Sequence, residues 1–270
     1  MFDWSFNYVA YSEHDFDESS IKRLLTYIQG GLGQNGIVNI AFNSRNVFDK
    51  GNIHSGLEKL FEKTGFSILV RDNTRREFGA YKDLSQLNSV KSFHTNSLHV
   101  FVNSTWDKHR DASDQTVTEI INSLKSATQY DEAIFVGPWS TFGKPFTMDG
   151  VLISAWVCTY MFAYNQVAIE KGGLELTPQN VLDSYFGEMT SERTYFSNAL
   201  HPLLKKRWEG WFFGLHEDLP RWYGAKKLAE FNREFLKNKV ISCIDEHYLT
   251  RTAIVRHFFT PPMLRKFTGT

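Results

Sequence analysis

Residues 151–169 read VLISAWVCTYMFAYNQVAI, nineteen consecutive positions without a formal charge, and whatever buries this stretch sets the architecture. Its length is close to the roughly 20 apolar residues that cross a bilayer. Ser154, Thr159, Asn165 and Gln166 are scattered through it, and Trp156, Tyr160 and Tyr164 sit away from its ends, where interfacial aromatics belong. These features argue against a membrane span. They favour a central helix that is apolar all round because protein covers it on nearly every side. Asp149 and Gly150 would open this helix, and Gly172 with Gly173 would close it.

The remaining chain has enough length and apolar content to enclose such an element. It has 270 residues, of which 42% are hydrophobic and 22% charged, while 15% aromatics with 23 Phe is a high proportion. Low-complexity disorder is excluded by that composition. No charged segment followed by an apolar one begins at Met1, so a secretory signal is not expected and an intracellular protein is. Cys158 and Cys243 are far apart, and two cysteines supply neither a disulfide framework nor a thiolate metal site.

Net charge is zero but unevenly placed. Residues 1–20 carry five acids and no Lys or Arg, whereas residues 201–270 carry 13 basic residues against 7 acids. Two readings stand: solvated tails, or an acidic and a basic arm that dock on neighbouring copies. On the second reading Phe2, Trp4, Phe258, Phe259 and Leu264 are the oligomerisation contacts, since they have no evident home within one domain.

Along the chain, residues 1–18 read as an extended arm. Ile21, Leu24, Leu25 and Ile28 line one face of a first helix, with residues 17–20 as capping candidates. Val38, Ile40 and Phe42 alternate as a strand, Ile53 to Phe61 suggest a helix, and Phe66 to Val70 a second strand. Residues 71–82, RDNTRREFGAYK, read as a basic loop. A strand over 98–102, an amphipathic helix through Val117, Ile120, Ile121 and Leu124, and a short apolar run from Ala133 lead to the central stretch. Beyond it the pattern is helical: one helix starts at Thr177 and Pro178, another covers about 191–211, and a third about 220–239. No repeat is present.

Catalytic signatures are scarce. Gly31-Leu32-Gly33-Gln34-Asn35-Gly36 matches a dinucleotide-binding spacing but follows a helix and precedes a strand, the reverse of the phosphate-binding arrangement, so it reads as a glycine-rich helix stop. The nine His show no metal-ligand spacing on a helix face. Asp107, His109, Asp111 and Asp114 form an acidic cluster with Lys108 and Arg110 between them. It is either a solvated loop with a helix cap at Asp114 or the seat of a metal-dependent nuclease. No metal or cofactor is otherwise implied.

Basic residues with aromatic neighbours are the more informative feature. Arg45 and Lys50 follow the first strand, Arg71, Arg75, Arg76 and Lys82 follow the second, and Lys205, Lys206 and Arg207 fall in the helical part, with Tyr81 and Tyr185 as candidate stacking rings. Single-strand binders pair such a basic row with aromatic platforms. Ordinary surface charge with core aromatics is the other reading.

The order of FNYVA, DFDESS, IVNIAFNSRNVFDK, GFSILVRDNTRREFG, EIINSL, EAIFVGPW, the apolar stretch and LTPQNVLDSYFGEMTSE resembles the orthobunyavirus-type nucleoproteins over residues 5–196. The chain departs from that family in being less basic, and residues 181–187 hold no Lys or Arg where the family has several facing RNA. The resemblance implies a non-catalytic nucleoprotein of the virion and infected-cell cytoplasm. It would coat single-stranded RNA, assemble through its arms and meet a viral polymerase.

The expected fold is α+β and predominantly α-helical: an N-terminal arm over 1–18, an N-terminal lobe with a small β element over 19–140, a helical lobe over 141–249, and a C-terminal arm over 250–270. The alternatives are a soluble α/β enzyme and a protein-interaction module without nucleic acid.

Overall fold

The N-terminal residues lie at the centre of the molecule. The computed structural model describes residues 2–11, 17–43, 58, 61, 64–106, 113–127, 132–171, 174–187, 196–216, 229, 232–249 and 254–255. In it, Phe2–Ala10 is strand β1. It pairs in parallel with β2 (Gly36–Asn43) on one side and with β4 (Phe93–Asn103) on the other. β3 (Gly65–Arg71) pairs in parallel with β2 at the edge. Past β4 come β8 (Met161–Asn165), antiparallel to both its neighbours, then β5 (Ile134–Val136) and β9 (Ile254–Val255). The sheet has seven strands in the order β3-β2-β1-β4-β8-β5-β9.

This corrects the predominantly helical, two-lobed expectation. The protein is a mixed α/β fold built on one large sheet. A boundary at residue 140 would also cut that sheet, because β8 sits between β4 and β5. The N-terminal arm is corrected for the same reason: Trp4, Phe6 and Tyr8 are at most 1% exposed. At the other end, Ile254 and Val255 pair with Ile134 and Phe135, and the following residues lie outside those described.

The decisive stretch is not a helix. Val151–Val157 is strand β7, residues 158–160 turn, Met161–Asn165 is β8, and Gln166–Glu170 is a short helix, α4. Both faces of β8 are covered, and a strand buried on both sides reads as an unbroken apolar run that periodicity cannot tell from a buried helix. Asp149 and Gly150 do not begin a helix either. They join β6 (Trp139–Met148) to β7, with φ of 48° and 75° and Met148 opposite Val151, the two-residue turn whose twist suits a hairpin.

Alternation along the strands divides the core. Trp4, Phe6, Tyr8, Val38, Ile40, Leu98 and Val100 share one cluster with Ile21, Leu24 and Ile28 of α1 (Glu18–Leu32) and Val117 and Ile120 of α3 (Asp114–Ala127). Val9, Ala41, Phe101, Phe162 and Tyr164 share another with Phe78, Tyr81 and Leu84 of α2 (Arg76–Ser89). Helices therefore cover both faces. A third cluster joins the hairpin to α5 (Gln179–Tyr185), α6 (Pro202–Phe213) and α7 (Arg233–Leu249). Among the described residues no helix is long and apolar enough to cross a membrane.

Several local expectations hold. Asp17 caps α1, accepting from the backbone N–H of Ser19 and Ser20 at 2.9 and 3.2 Å. The glycine-rich motif ends α1 and starts β2: Gly33 has φ 92°, and a Cβ on Gly36 would meet the Trp4 indole at 2.1 Å. Residues 76–82, expected in a basic loop, are instead the start of α2. That helix is keyed to the sheet by buried asparagines. Asn39 Nδ2 donates to Asn7 Oδ1 and Asn88 Oδ1, and Asn88 Nδ2 donates to Asn7 Oδ1, all at 2.9 Å. A fully satisfied polar triangle fixes the position of α2 more specifically than apolar contact alone.

Candidate functional site

Strand order reverses at β1. The chain moves from β1 to β2 and β3 on one side, then crosses back through α2 to β4 on the other. In open α/β sheets, ligands bind beyond the carboxyl ends of the strands at such a reversal. The polar residues gathered there are Tyr11 after β1, Asn43 at the end of β2, the turn from Arg71 to Glu77, Asn103 and Ser104 at the end of β4, and Thr159 before the antiparallel β8.

The turn into α2 is the most constrained part of this crest. Arg75 and Arg76 both hold left-handed backbone, with φ of 60° and 52°. Non-glycine residues adopt it at a cost of order 1 kcal/mol or more, and it recurs at functional sites. Arg71 braces the turn: its Nε donates to Asp83 Oδ2 at 2.7 Å, NH1 to Asn43 Oδ1 at 3.0 Å, and NH2 to the Thr74 carbonyl at 3.0 Å. Asn43 Nδ2 in turn donates to the Arg76 carbonyl at 2.9 Å. Arg75 is anchored to α7 by two hydrogen bonds from NH1 to Asp245.

With Arg71 and Arg75 so engaged, Arg76 and Glu77 are left facing the end of β1. The Arg76 guanidinium lies 5.8 Å from the centre of the Tyr11 ring, and the Tyr11 hydroxyl donates to Glu77 Oε2 at 2.6 Å. Arg76 Nε is buried without a hydrogen-bond partner among the described residues, with Glu77 Oε2 at 3.6 Å. Ser104 Oγ is a second buried polar atom with no hydrogen-bond partner among the described residues. The N-cap of α2, Arg75, makes no side-chain capping bond. Burial and then the Glu77 carboxylate push the Tyr11 hydroxyl well above the ordinary phenol range, so it stays protonated as a donor.

Glu246 of α7 closes the crest. Its Oε1 accepts from the Thr159 backbone N–H and hydroxyl, both at 2.9 Å. Burial raises its pKa against those hydrogen bonds, and the Glu77 carboxylate adds to the rise. The Cys243 thiol is pushed up to about 12 by burial, which leaves it unreactive as a nucleophile. The crest thus gathers a guanidinium, the Ser104 hydroxyl, and two carboxylates, one of which accepts from the Tyr11 phenol. Among the described residues no group of three or more metal-ligand side chains is assembled.

The residues expected to bind RNA are distributed as follows. Arg71, Arg75, Arg76 and Lys82 do come together around the β3–α2 turn, but Arg71 donates from all three nitrogens within the protein and Arg75 from NH1 and NH2. Tyr81 is enclosed by Phe78, Phe101 and Phe162 and its hydroxyl donates to the Thr159 carbonyl, so no ring face is left for a base. Tyr185 is 6% exposed in the helical cluster. Lys205, Lys206 and Arg207 sit on α6, with Arg207 over the Trp156 ring at 5.5 Å. Arg45, Lys50, Asp107, His109 and Asp111 lie outside the described residues. Of the oligomerisation set, Trp4 is buried with its indole N–H donating to the Gly33 carbonyl at 2.9 Å, and Phe2 is part of β1. Phe258, Phe259 and Leu264 lie outside the described residues.

Sequence reading missed Tyr11, Glu77, Asn103, Ser104 and Glu246. The available signal was positional: Tyr11 directly follows β1 and Asn103-Ser104 closes β4, which matters only once the strands and their order are known.

Fold and crest define a doubly wound mixed α/β protein with its polar residues at the carboxyl end of the parallel strands. No protein-family model and no curated protein matches the chain. A solved structure similar to it is described as a "putative nucleotide-diphospho-sugar transferase" from Desulfovibrio desulfuricans G20, with 13% identity, a TM-score of 0.32, and a match over 62% of this chain and 65% of that one. The chain therefore spans less than two thirds of that neighbour.

Proposed function

We propose that the protein is an α/β enzyme that takes a phosphate-bearing small molecule at the crest between β1 and β4. The observation that carries this reading is Arg76, held in left-handed backbone at the start of a helix without a side-chain cap, with its buried Nε lacking a hydrogen-bond partner among the described residues. A helix N-terminus and a guanidinium favour an oxyanion on both electrostatic and hydrogen-bonding grounds. Glu77, fixed by Tyr11, is the carboxylate placed to exchange a proton with such a ligand.

Thermal shift with a panel of nucleoside diphosphates, sugar phosphates and inorganic diphosphate, beside mixed-sequence single-stranded RNA, tests this reading. Stabilisation by one or more of the small phosphates, at ligand excess over Kd, is the expected result. Stabilisation by RNA alone, with an affinity that falls steeply as salt rises, would instead support the nucleoprotein reading drawn from the resemblance.

A further inference from the structure

The turn that delivers Arg76 to the crest presents other cations on its outer side. There a cleft of about 420 Å³ opens between α2 and residues 174–179, lined in part by Arg71, Thr74, Arg75, Lys82, Asp83 and Thr177. It continues into a second cleft of about 560 Å³ that shares Lys82, Gln86, Leu176 and Pro178.

Three cations thus line a cleft with one carboxylate, Asp83, while Asp245 stands behind Arg75 and Asp72 lies 3.9 Å from Arg71 NH2. The cations are built in. Gly79 stands in the first turns of α2, where glycine costs about 1 kcal/mol relative to alanine. A Cβ there would lie 2.5 Å from Arg71 NH2 and 2.3 Å from the Thr74 carbonyl, so the missing side chain is what lets the Arg71 guanidinium lie against the helix. Arg75 gives NH1 to Asp245 and one NH2 hydrogen to the Thr177 carbonyl at 2.7 Å, which leaves its Nε–H unspent among the described residues. Lys82 is exposed at the junction of the two clefts, with no ion pair among the described residues. Thr177 is 1% exposed, and its hydroxyl, beside the Asp245 carboxylate, makes no close hydrogen bond among the described residues.

We infer that this cleft is an anion subsite for a phosphoryl group, with Lys82 and Arg75 supplying charge and Thr177 a hydroxyl donor. Phosphate fits the observations because a fixed guanidinium and a mobile ammonium can engage different oxygens of one tetrahedral anion. The subsite is independent of the crest, since Arg76 and Glu77 do not line it.

Isothermal titration of inorganic phosphate, and separately of glycerol phosphate, into the wild type and into Lys82→Gln, Thr177→Val and Arg76→Met variants tests the inference. Lys82→Gln changes an exposed side chain, and circular dichroism checks that every variant folds. Measured in an Arg76→Met background, which removes the crest's contribution, Lys82→Gln should weaken phosphate binding at least fivefold and Thr177→Val at least threefold. Glycerol phosphate losing the same factors would make a phosphomonoester the ligand, and its failure to bind would make it free phosphate. No phosphate binding in the Arg76→Met background, or an affinity there that Lys82→Gln leaves unchanged, would overturn the subsite. The crest reading is scored separately, by diphosphate binding and its dependence on Arg76.

Discussion

Arg75 and Asp245 are 170 positions apart in sequence and meet in a paired contact of 3.0 and 3.1 Å between the start of α2 and the middle of α7. Asp245 also accepts from the Thr177 backbone N–H at 3.1 Å. Three distant segments are thereby tied at the turn that shapes the crest. Asp245 is fully buried, and burial raises its carboxyl to about 6 despite the opposing guanidinium. An acid whose folded pKa is raised favours folding most at low pH, and that contribution is lost as pH rises through the folded value. The stability of the wild type minus that of Asp245→Asn should therefore fall by about 3 kcal/mol between pH 4 and 7. Urea denaturation across that range reads it. A difference that rose with pH would mean that the ion pair, rather than burial, governs this carboxylate.

His99 works in the opposite direction. It is fully buried on β4, its Nδ1 lies 2.8 Å from the Ser5 hydroxyl, and its Nε2 lies 2.8 Å from Gln166 Oε1. Burial lowers its pKa to about 4, so below 6.5 the unfolded chain takes a proton that the folded one refuses. Stability contributed by neutral His99 is present above 6.5 and is lost as pH falls towards 4. Relative to His99→Gln, the wild type should lose about 3 kcal/mol over that window. Because Asp245 offsets this loss in the wild type, both variants are needed to separate the two. A constant difference between wild type and His99→Gln would show that the ring is hydrated.

Gly79→Ala would ordinarily stabilise a helix. Here the added methyl meets a backbone carbonyl and the Arg71 guanidinium. Net destabilisation of about 1 to 3 kcal/mol is expected, measured by chemical denaturation. A more stable variant would show that the turn has room to yield and that the glycine has no structural role.

The N-terminal half was largely legible from sequence. Alternation at Val38-Ile40-Phe42 and 66–70 gave β2 and β3, and the spacing of Ile21, Leu24, Leu25 and Ile28 gave α1 with its Asp17 cap. Two features hid the rest. β8 carries no polar alternation because both its faces are buried, and the adjacent β7 prolonged the same apolar run into helix length. The Asp149-Gly150 pair was the local evidence against that helix, since Asp-Gly between apolar segments is a hairpin signal. β1 was obscured by Ser5 and Asn7, which interrupt an apolar run and look solvent-facing. Both are in fact buried, hydrogen-bonded through Asn7 Nδ2 to Ser5 Oγ at 2.8 Å and to the Val100 carbonyl at 3.1 Å. The basic cluster after β3 was visible in sequence, but not its pairing: nothing local to Arg75 points to Asp245. The crest was not legible, because it depends on strand order.

Binding of inorganic diphosphate to the wild type and to Arg76→Met, by isothermal titration with Lys82→Gln alongside, tests the central claim most directly. Loss of one charge-assisted contact of about 1.5 to 3 kcal/mol corresponds to a roughly 10- to 100-fold weaker Kd. That loss is expected in Arg76→Met. Equal affinity in the wild type and Arg76→Met, with the fold intact by circular dichroism, would contradict it.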